Sequence, residues 1–277
     1  MYQLVALDID GTLLNSSYQI TDRVRQAVAR VRQRNIQVVL VTGRTFPAAR
    51  SIAEELDLND RPLVSHNGAL TKIPSSLAVV EARLLHQDAA RLAVEAANRS
   101  NVTVLYSDDP DGPGNVVMGQ PPAGRLDQYL TMTNTPVRLV SDLAASLDHP
   151  VIQVSCSGPC KKIDVLQSRL SRQLADEVTL ILTAYRRRNL SILDVLDAGC
   201  SKGSGLQSAL RWAQVDPNDV MAVGDNFNDL DMLQIVGCAV VMGNAPESMH
   251  HMGFPVTTNR DADGAALALE KWVLTDD

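Results

Sequence analysis

Asp8 and Asp10 close the apolar run Leu4-Val5-Ala6-Leu7 within the segment Asp8-Ile9-Asp10-Gly11-Thr12. In a strand, residues two apart project the same way, so the pair can converge on one small charged object at the strand exit. Two carboxylates held that close need a cation or a shared proton, and a divalent metal with a phosphate behind it satisfies the requirement. An Asp-Gly corner after an apolar run is also ordinary turn chemistry. Two further runs shift the balance: Val220-Met221-Ala222-Val223 ends in Gly224-Asp225-Asn226-Phe227-Asn228-Asp229, and Val38-Val39-Leu40-Val41 ends in Thr42-Gly43-Arg44. Three polar, glycine-containing tips match the crevice outside the strand carboxyl ends, where open parallel sheets bind ligands.

A phosphate monoester is doubly anionic, so an anionic nucleophile reaches it only when its charge is neutralised and the group is held in line. Asp8 is the candidate nucleophile, splitting one displacement into two through an aspartyl-phosphate. Asp10 is the candidate acid for the departing alcohol and then the base for water. Asp225, with Asp8 and the main-chain carbonyl of Asp10, is the candidate Mg²⁺ ligand set, an all-oxygen set that suits a hard ion. Asn228 and Asp229 are expected behind it, gripping metal-bound waters. The Thr42 hydroxyl and the Gly43 N–H suit phosphate oxygens. Taken alone, Thr-Gly-Arg is a capped turn, and Lys202 in Ser-Lys-Gly is an ordinary surface lysine. Lys202 gains weight because it opens a helix, where backbone donors and a cation meet one anion.

The elements that position these residues alternate. Thr21-Asp22 marks a helix start, with Val24, Ala27, Val28 and Val31 as its apolar face. Pro47 opens a second helix with Ala49, Ile52, Ala53 and Leu56 as its stripe, and Leu63-Val64-Ser65 is a short strand ending in His66-Asn67-Gly68. Such alternation predicts right-handed βαβ units and a parallel sheet covered on both faces. From 83 to 196 the pattern changes to longer helices and alternating strands, which predicts an inserted α/β unit. Its predicted helices cover 87–98, 122–131 and 162–174, and its strands 102–105, 116–118, 152–154, 180–183 and 190–196. The stretch from Asp108 to Gly114 is a loop on composition. A helix carrying Leu206, Ala209, Leu210 and Ala213 then leads to the strand before Asp225, and a last helix covers about 264–273. The expected fold is α/β: a Rossmann-like doubly wound, mostly parallel core made of residues 1–82 and 197–277, with an α/β cap at 83–196.

With 277 residues, 45% hydrophobic and 21% charged, the chain can bury a large core, which excludes disorder as its main state. No run approaches the roughly 18 apolar residues of a membrane span, and Met1-Tyr2-Gln3 lacks a signal-like flank, so a cytosolic protein is expected. A net charge of -7 argues against nucleic acid as a partner. Cys156, Cys160, Cys200 and Cys238 show no C-x-x-C spacing and are expected as buried thiols. His250-His251 has no ligand cluster beside it and is expected as a surface pair. Trp212 falls among the apolar residues of its helix, so packing is its expected role, and the same holds for Trp272. Arg186-Arg187-Arg188 is expected as a solvated turn between two cap strands, with recognition of an acidic substrate as the alternative. Asp108, Asp109 and Asp111 lack the downstream Glu of a calcium loop.

Asp8-Ile9-Asp10-Gly11-Thr12-Leu13-Leu14, Thr42-Gly43-Arg44, Lys202-Gly203 and Gly224-Asp225-Asn226-Phe227-Asn228-Asp229, in that order, resemble the four motifs of the haloacid-dehalogenase (HAD) superfamily of phosphatases. Ser65-His66-Asn67-Gly68-Ala69, Met242-Gly243-Asn244-Ala245, Val256-Thr257-Thr258-Asn259 and Asp263-Gly264 resemble its Cof-like branch, subclass IIB, which carries an α/β cap between the second and third motifs. The resemblance implies catalysis by Asp8, Asp10 and Lys202, and Mg²⁺ held by Asp8, Asp10 and Asp225. It further implies substrate contacts from Gly11, Thr42, Gly43, Arg44, Asn67, Lys202 and Asn228, with Asn228, Asp229 and Asn244 behind the metal. The superfamily includes dehalogenases, but expelling an alkoxide needs the proton donor Asp10 supplies and expelling a halide does not. The expected function is hydrolysis of small phosphorylated metabolites such as sugar phosphates, with the cap closing over the substrate. The alternatives are a sugar phosphomutase and a non-catalytic sensor; oligomeric state is left open.

Overall fold

The computed structural model describes residues 2–275, so Met1 and residues 276–277, at the ends of the expected core segments, lie outside the described residues. In chain order, β1 (Leu4–Leu7), α1 (Asp22–Gln33), β2 (Gln37–Val41), α2 (Phe46–Glu55), β3 (Leu63–Ser65), β4 (Leu70–Lys72) and β5 (Val79–Ala82) come first. Next are α3 (Gln87–Arg99), β6 (Thr103–Asp108), β7 (Asn115–Met118), α4 (Gly124–Met132), β8 (Val137–Leu139), β9 (Gln153–Gly158), α5 (Cys160–Leu174), β10 (Val178–Tyr185) and β11 (Leu190–Asp197). The chain finishes with α6 (Lys202–Ala213), β12 (Val220–Gly224), α7 (Leu230–Gln234), β13 (Cys238–Val241), α8 (Glu247–His250) and α9 (Gly264–Trp272). Two compact units result: one of the described residues up to Arg44, Ala49–Glu81 and those from Ser201 onward, the other of Thr45–Ala48 and Ala82–Cys200.

The first unit is built on a seven-stranded sheet in the order β13-β12-β1-β2-β3-β4-β5. The β13-β12-β1-β2-β3 ladder is parallel and β4 runs antiparallel to β3. Every residue of β1 and β12 is buried, as continuous apolar strands must be when helices cover both faces. Thr21 caps α1 by accepting the Val24 N–H, which turns Val24, Ala27, Val28 and Val31 into the core. Leu7 stands opposite both Val223 and Leu40, so β1 ends one residue short of β12 and β2. The Asp8 N–H then bonds the Val223 carbonyl at 3.1 Å and the Thr42 N–H bonds the Val64 carbonyl at 2.9 Å, extending the ladder one residue into each tip.

The second unit carries a six-stranded sheet, β10-β11-β9-β6-β7-β8, antiparallel except for β7 with β8. Alternate residues Val104, Tyr106, Val154, Cys156, Leu193 and Val195 form one core with the buried faces of α3 and α5.

Several expectations need correction. β4, β5, β8 and β13 were not anticipated; β4 and β8 have three residues each, too few for a period-two pattern to register. β6 runs on through Asp108, so that residue belongs to a strand, not a loop. Trp212 is 43% exposed, because the buried face of α6 is set by Lys202, Gly205, Leu206, Ala209 and Leu210, and position 212 points away from it. Of the four cysteines, Cys160 and Cys238 are half-buried, not buried. Trp272 is half-buried and carries the Lys271 ammonium 4.4 Å from its ring centroid.

Candidate active site

Asp8 is 2% exposed at the exit of β1. Lys202, 2% exposed at the first turn of α6, sends its Nζ to Asp8 Oδ1 at 2.7 Å and to Asp229 Oδ1 at 2.5 Å. The lysine is delivered by its helix start: Ser201 and Ser204 form a reciprocal capping box, and the Gly203 N–H bonds Asp231 Oδ2 at 3.0 Å. Asp229 sits in a short 3₁₀ turn, and its Oδ2 accepts the N–H groups of Asp225 and Asn226 at 2.9 and 3.0 Å. Through that one side chain the tip after β12 is tied to the lysine.

The carboxylates of Asp8, Asp225 and Asp229 each place an oxygen within 4.8 Å of the others. One ammonium cannot balance the two buried carboxylates of Asp8 and Asp229 and the half-buried one of Asp225. Burial, opposed by Lys202 and reinforced by Asp229, Asp225 and Asp10, pushes the Asp8 carboxyl well above its usual range. Burial and Asp229 push Asp225 up to about 7. Burial works against the charge on Lys202, but Asp229 and Asp8 outweigh it and raise its pKa. The cluster is short of positive charge, and a cation relieves it.

The donor set fits a hard divalent ion. Asp8 Oδ1 is committed to Lys202, while Asp8 Oδ2 is buried without a hydrogen-bond partner among the described residues. Asn244 aligns its neighbour, donating from Nδ2 to Asp225 Oδ2 at 3.0 Å and to the Gly11 carbonyl at 2.9 Å, while its Oδ1 accepts the Arg260 N–H at 2.8 Å. Gly11 has φ +89°, and a Cβ there would stand 2.0 Å from Asp225 Oδ2, so only glycine leaves that carboxylate room. Carboxylate oxygens with no sulfur or imidazole suit Mg²⁺ or Ca²⁺.

Asp10 departs from expectation. Its carboxylate does not converge with that of Asp8 but takes a two-pronged ion pair from Arg44, Nε to Oδ2 at 2.6 Å and an Nη to Oδ1 at 2.7 Å. A forked guanidinium offers a carboxylate two parallel bonds, which a second carboxylate cannot. Asp229 stands beside Asp8 and Asp225 in the acidic cluster, with Oδ1 taken by Lys202 and Oδ2 by the two backbone N–H groups.

Thr42 is buried and its Oγ1 accepts the Arg44 N–H at 3.1 Å, while its carbonyl takes the Asn67 N–H at 3.0 Å. A Cβ on Gly43 would come within 2.8 Å of Asn67 Oδ1, and that same oxygen accepts the Asn228 Nδ2 at 3.2 Å. Thr42, Gly43, Asn67 and Asn228 are therefore one connected patch joining the tips after β2, β3 and β12. His66 beneath it is held neutral, its pKa lowered to about 3 by burial and by Lys72. Sequence reasoning passed over Thr12, whose buried hydroxyl has no partner among the described residues, and Asp231, which anchors the Gly203 N–H. Both stand within or beside the segments already singled out, so proximity was the available signal.

Residues 5–269 match the family model of haloacid dehalogenase-like hydrolases. The 5-amino-6-(5-phospho-D-ribitylamino)uracil phosphatase of Bacillus subtilis (strain 168) is 27% identical, covering 98% of this chain and 96% of its own. The HMP-PP phosphatase of Cronobacter sakazakii is 26% identical over 99% of this chain and 96% of its own. A crystal structure of a haloacid dehalogenase-like hydrolase from Bacteroides thetaiotaomicron superimposes with a TM-score of 0.86 at 25% identity, covering 98% of this chain and 99% of that one. A HAD subclass IIB sugar phosphatase shares the fold with a TM-score of 0.79 at 19% identity, over 99% of this chain and 100% of that one. The chain belongs to the haloacid dehalogenase-like hydrolases, in the Cof-like branch, and is an enzyme of the phosphoric monoester hydrolase class.

Proposed function

We propose that the chain is a cytosolic, Mg²⁺-dependent phosphatase of small phosphorylated metabolites, sugar phosphates or similar compounds, acting through an aspartyl-phosphate on Asp8. The observation that carries this reading is the divided Asp8 carboxylate, with Oδ1 fixed by Lys202 and Oδ2 open. Asp8 and Asp225, with the Asp10 main-chain carbonyl, hold the ion, and Asp229 and Asn244 set the ligand orientation. When bound, Mg²⁺ supplies the positive charge that lets an anionic nucleophile approach an anionic phosphoryl group.

Asp8 Oδ2 bonds to phosphorus as the bond from phosphorus to the leaving oxygen breaks. Asp10 gives that oxygen a proton and afterwards takes one from the water that attacks the aspartyl-phosphate, releasing inorganic phosphate and restoring Asp8. Arg44 holds Asp10 until an anionic substrate competes for its guanidinium, which frees the carboxyl for proton transfer. Thr42, Gly43, Asn67 and Asn228 orient the phosphoryl oxygens, with Gly11 keeping the approach clear. Lys202 keeps the nucleophile in one rotamer and offsets charge. Residues 83–196 form the cap and select the leaving group. Named activities on a phosphorylated ribitylaminouracil and on HMP-PP among relatives favour a compact phosphorylated metabolite.

The test is initial phosphate release across a panel of phosphorylated metabolites, with Mg²⁺ and with EDTA. Release that needs Mg²⁺ and fails in Asp8→Asn is expected. No release from any compound, or full activity of Asp8→Asn, would overturn the proposal. Isomerised product appearing ahead of free phosphate would favour a mutase instead.

A further inference from the structure

β10 is the terminal strand of the second unit's sheet. It pairs with β11 without a break over its eight residues, from Val178 opposite Asp197 to Tyr185 opposite Leu190, and among the described residues no strand pairs with its other edge. Sheet edges are ordinarily protected by a lysine, a proline, a bulge or a short strand. Val178-Thr179-Leu180-Ile181-Leu182-Thr183-Ala184 has no charge, proline or glycine, and its register with β11 shows no bulge. Val178, Leu180 and Leu182 pack against the helix-side core, while Thr179, Ile181 and Thr183 point to the other face.

This segment is nearly symmetric about Ile181. Thr179 mirrors Thr183, Leu180 mirrors Leu182, and Val178 mirrors Ala184. The flanks are mirrored in charge: exposed Asp176 and Glu177 precede the strand, and exposed Arg186, Arg187 and Arg188 follow it. An edge that is its own complement when turned end for end fits one partner best, another copy of itself.

We infer that two copies of this chain associate by antiparallel pairing of their β10 edges about a two-fold axis at Ile181, joining two six-stranded sheets into one. In that register Ile181 faces Ile181 of the partner subunit, Leu180 faces Leu182 of the partner subunit, and Thr179 faces Thr183 of the partner subunit. Arg186 then faces Asp176 of the partner subunit, twice by symmetry. Such a contact is isologous and closes at two copies. Slipping the register by one residue would turn the core-side residues to the opposite face, and parallel pairing would bring like charges together. The arginine triplet thus acquires a use that phosphate chemistry does not give it.

Sedimentation velocity on the full chain over a range of concentrations is the test. Wild type is expected to move from monomer to a species of twice the 30.0 kDa chain mass as concentration rises. Ile181→Lys, which sets two ammonium groups at the axis, is expected to stay monomeric while keeping the wild-type far-UV circular dichroism. Arg186→Asp is expected to weaken association about tenfold, and Asp176→Arg in the same chain to restore it. Because directly opposed strand residues lie about 4.5–5.5 Å apart at Cα, within disulfide reach, oxidised Ile181→Cys is expected to cross-link to a dimer above the wild-type background and Thr179→Cys is not. A wild-type chain that remains monomeric at its highest soluble concentration overturns the inference, as does a dimer that Ile181→Lys leaves intact or an Ile181→Cys chain that does not cross-link. A foreign peptide as the edge's occupant would appear as the first of these results.

Discussion

Each unit holds a knot of acidic and basic side chains, and the two knots differ in solvent. In the first, the Lys202, Asp8 and Asp229 side chains are 3%, 3% and 0% exposed. In the second, Asp108 bonds Arg138 at 3.1 Å and His149 at 3.0 Å, His149 also reaches Asp148 at 2.7 Å, and apart from Asp108 these side chains are 45% to 83% exposed. Water screens the second knot and lets each member go with little loss. The first has no such relief, so its excess negative charge appears as raised carboxyl pKa values and as an unpartnered buried oxygen, the conditions a metal and a phosphoryl group meet. Similar residue types are chemistry in one place and surface support in the other because of burial alone.

Substitutions should separate the two knots sharply. Asp8→Asn is expected to lower phosphate release by about 10⁴-fold or more, the scale of losing a nucleophile, read from kcat with folding checked by circular dichroism. Lys202→Met strands two buried carboxylates, and urea unfolding should show a loss of about 3–5 kcal/mol. Gly11→Ala combines a left-handed backbone with a Cβ driven into Asp225, and a loss of about 1–3 kcal/mol is expected, with a far larger fall in Mg²⁺-dependent rate.

The smallest effect belongs to the exposed knot. His149→Gln should cost below about 1 kcal/mol. Its sign with pH is distinctive. Asp108 first and Asp148 second raise the folded-state pKa of His149 above its ordinary value. The stabilisation is therefore complete below about pH 6.5 and is lost as pH rises through the raised folded value. Urea midpoints of wild type and His149→Gln should differ in mildly acidic buffer and converge in alkaline buffer. A difference that grows with pH would show that the contact is not an ion pair.

The strand tips were legible because each joins an apolar run to a short polar segment, and a parallel sheet collects such ends on one side. Side-chain orientation within the tips was not. Nothing in the spacing of Asp8 and Asp10 shows that Arg44 draws the second carboxylate aside, since Arg44 arrives from another strand. The ion pair of Asp229 with Lys202 was not legible either, because it depends on a 3₁₀ turn over Phe227–Asp229 that curls Asp229 back onto the lysine, a local geometry that residue types leave open. Trp212 was misplaced for a related reason: an aromatic residue among apolar neighbours suggests packing, while the helix phase puts it in solvent. Long helices and fully buried strands carry their period over enough residues to be read, and three-residue strands such as β4 and β8 do not.

The most direct test of the account is chemical capture of Asp8. Rapid acid quench during turnover with Mg²⁺ and an active phosphorylated metabolite, followed by peptide mass measurement, is predicted to find one phosphoryl group on the peptide containing Asp8 and none on the same peptide of Asp8→Asn. A fully active enzyme whose Asp8 peptide never carries phosphate at any quench time, or whose phosphoryl group sits on another residue, would contradict it.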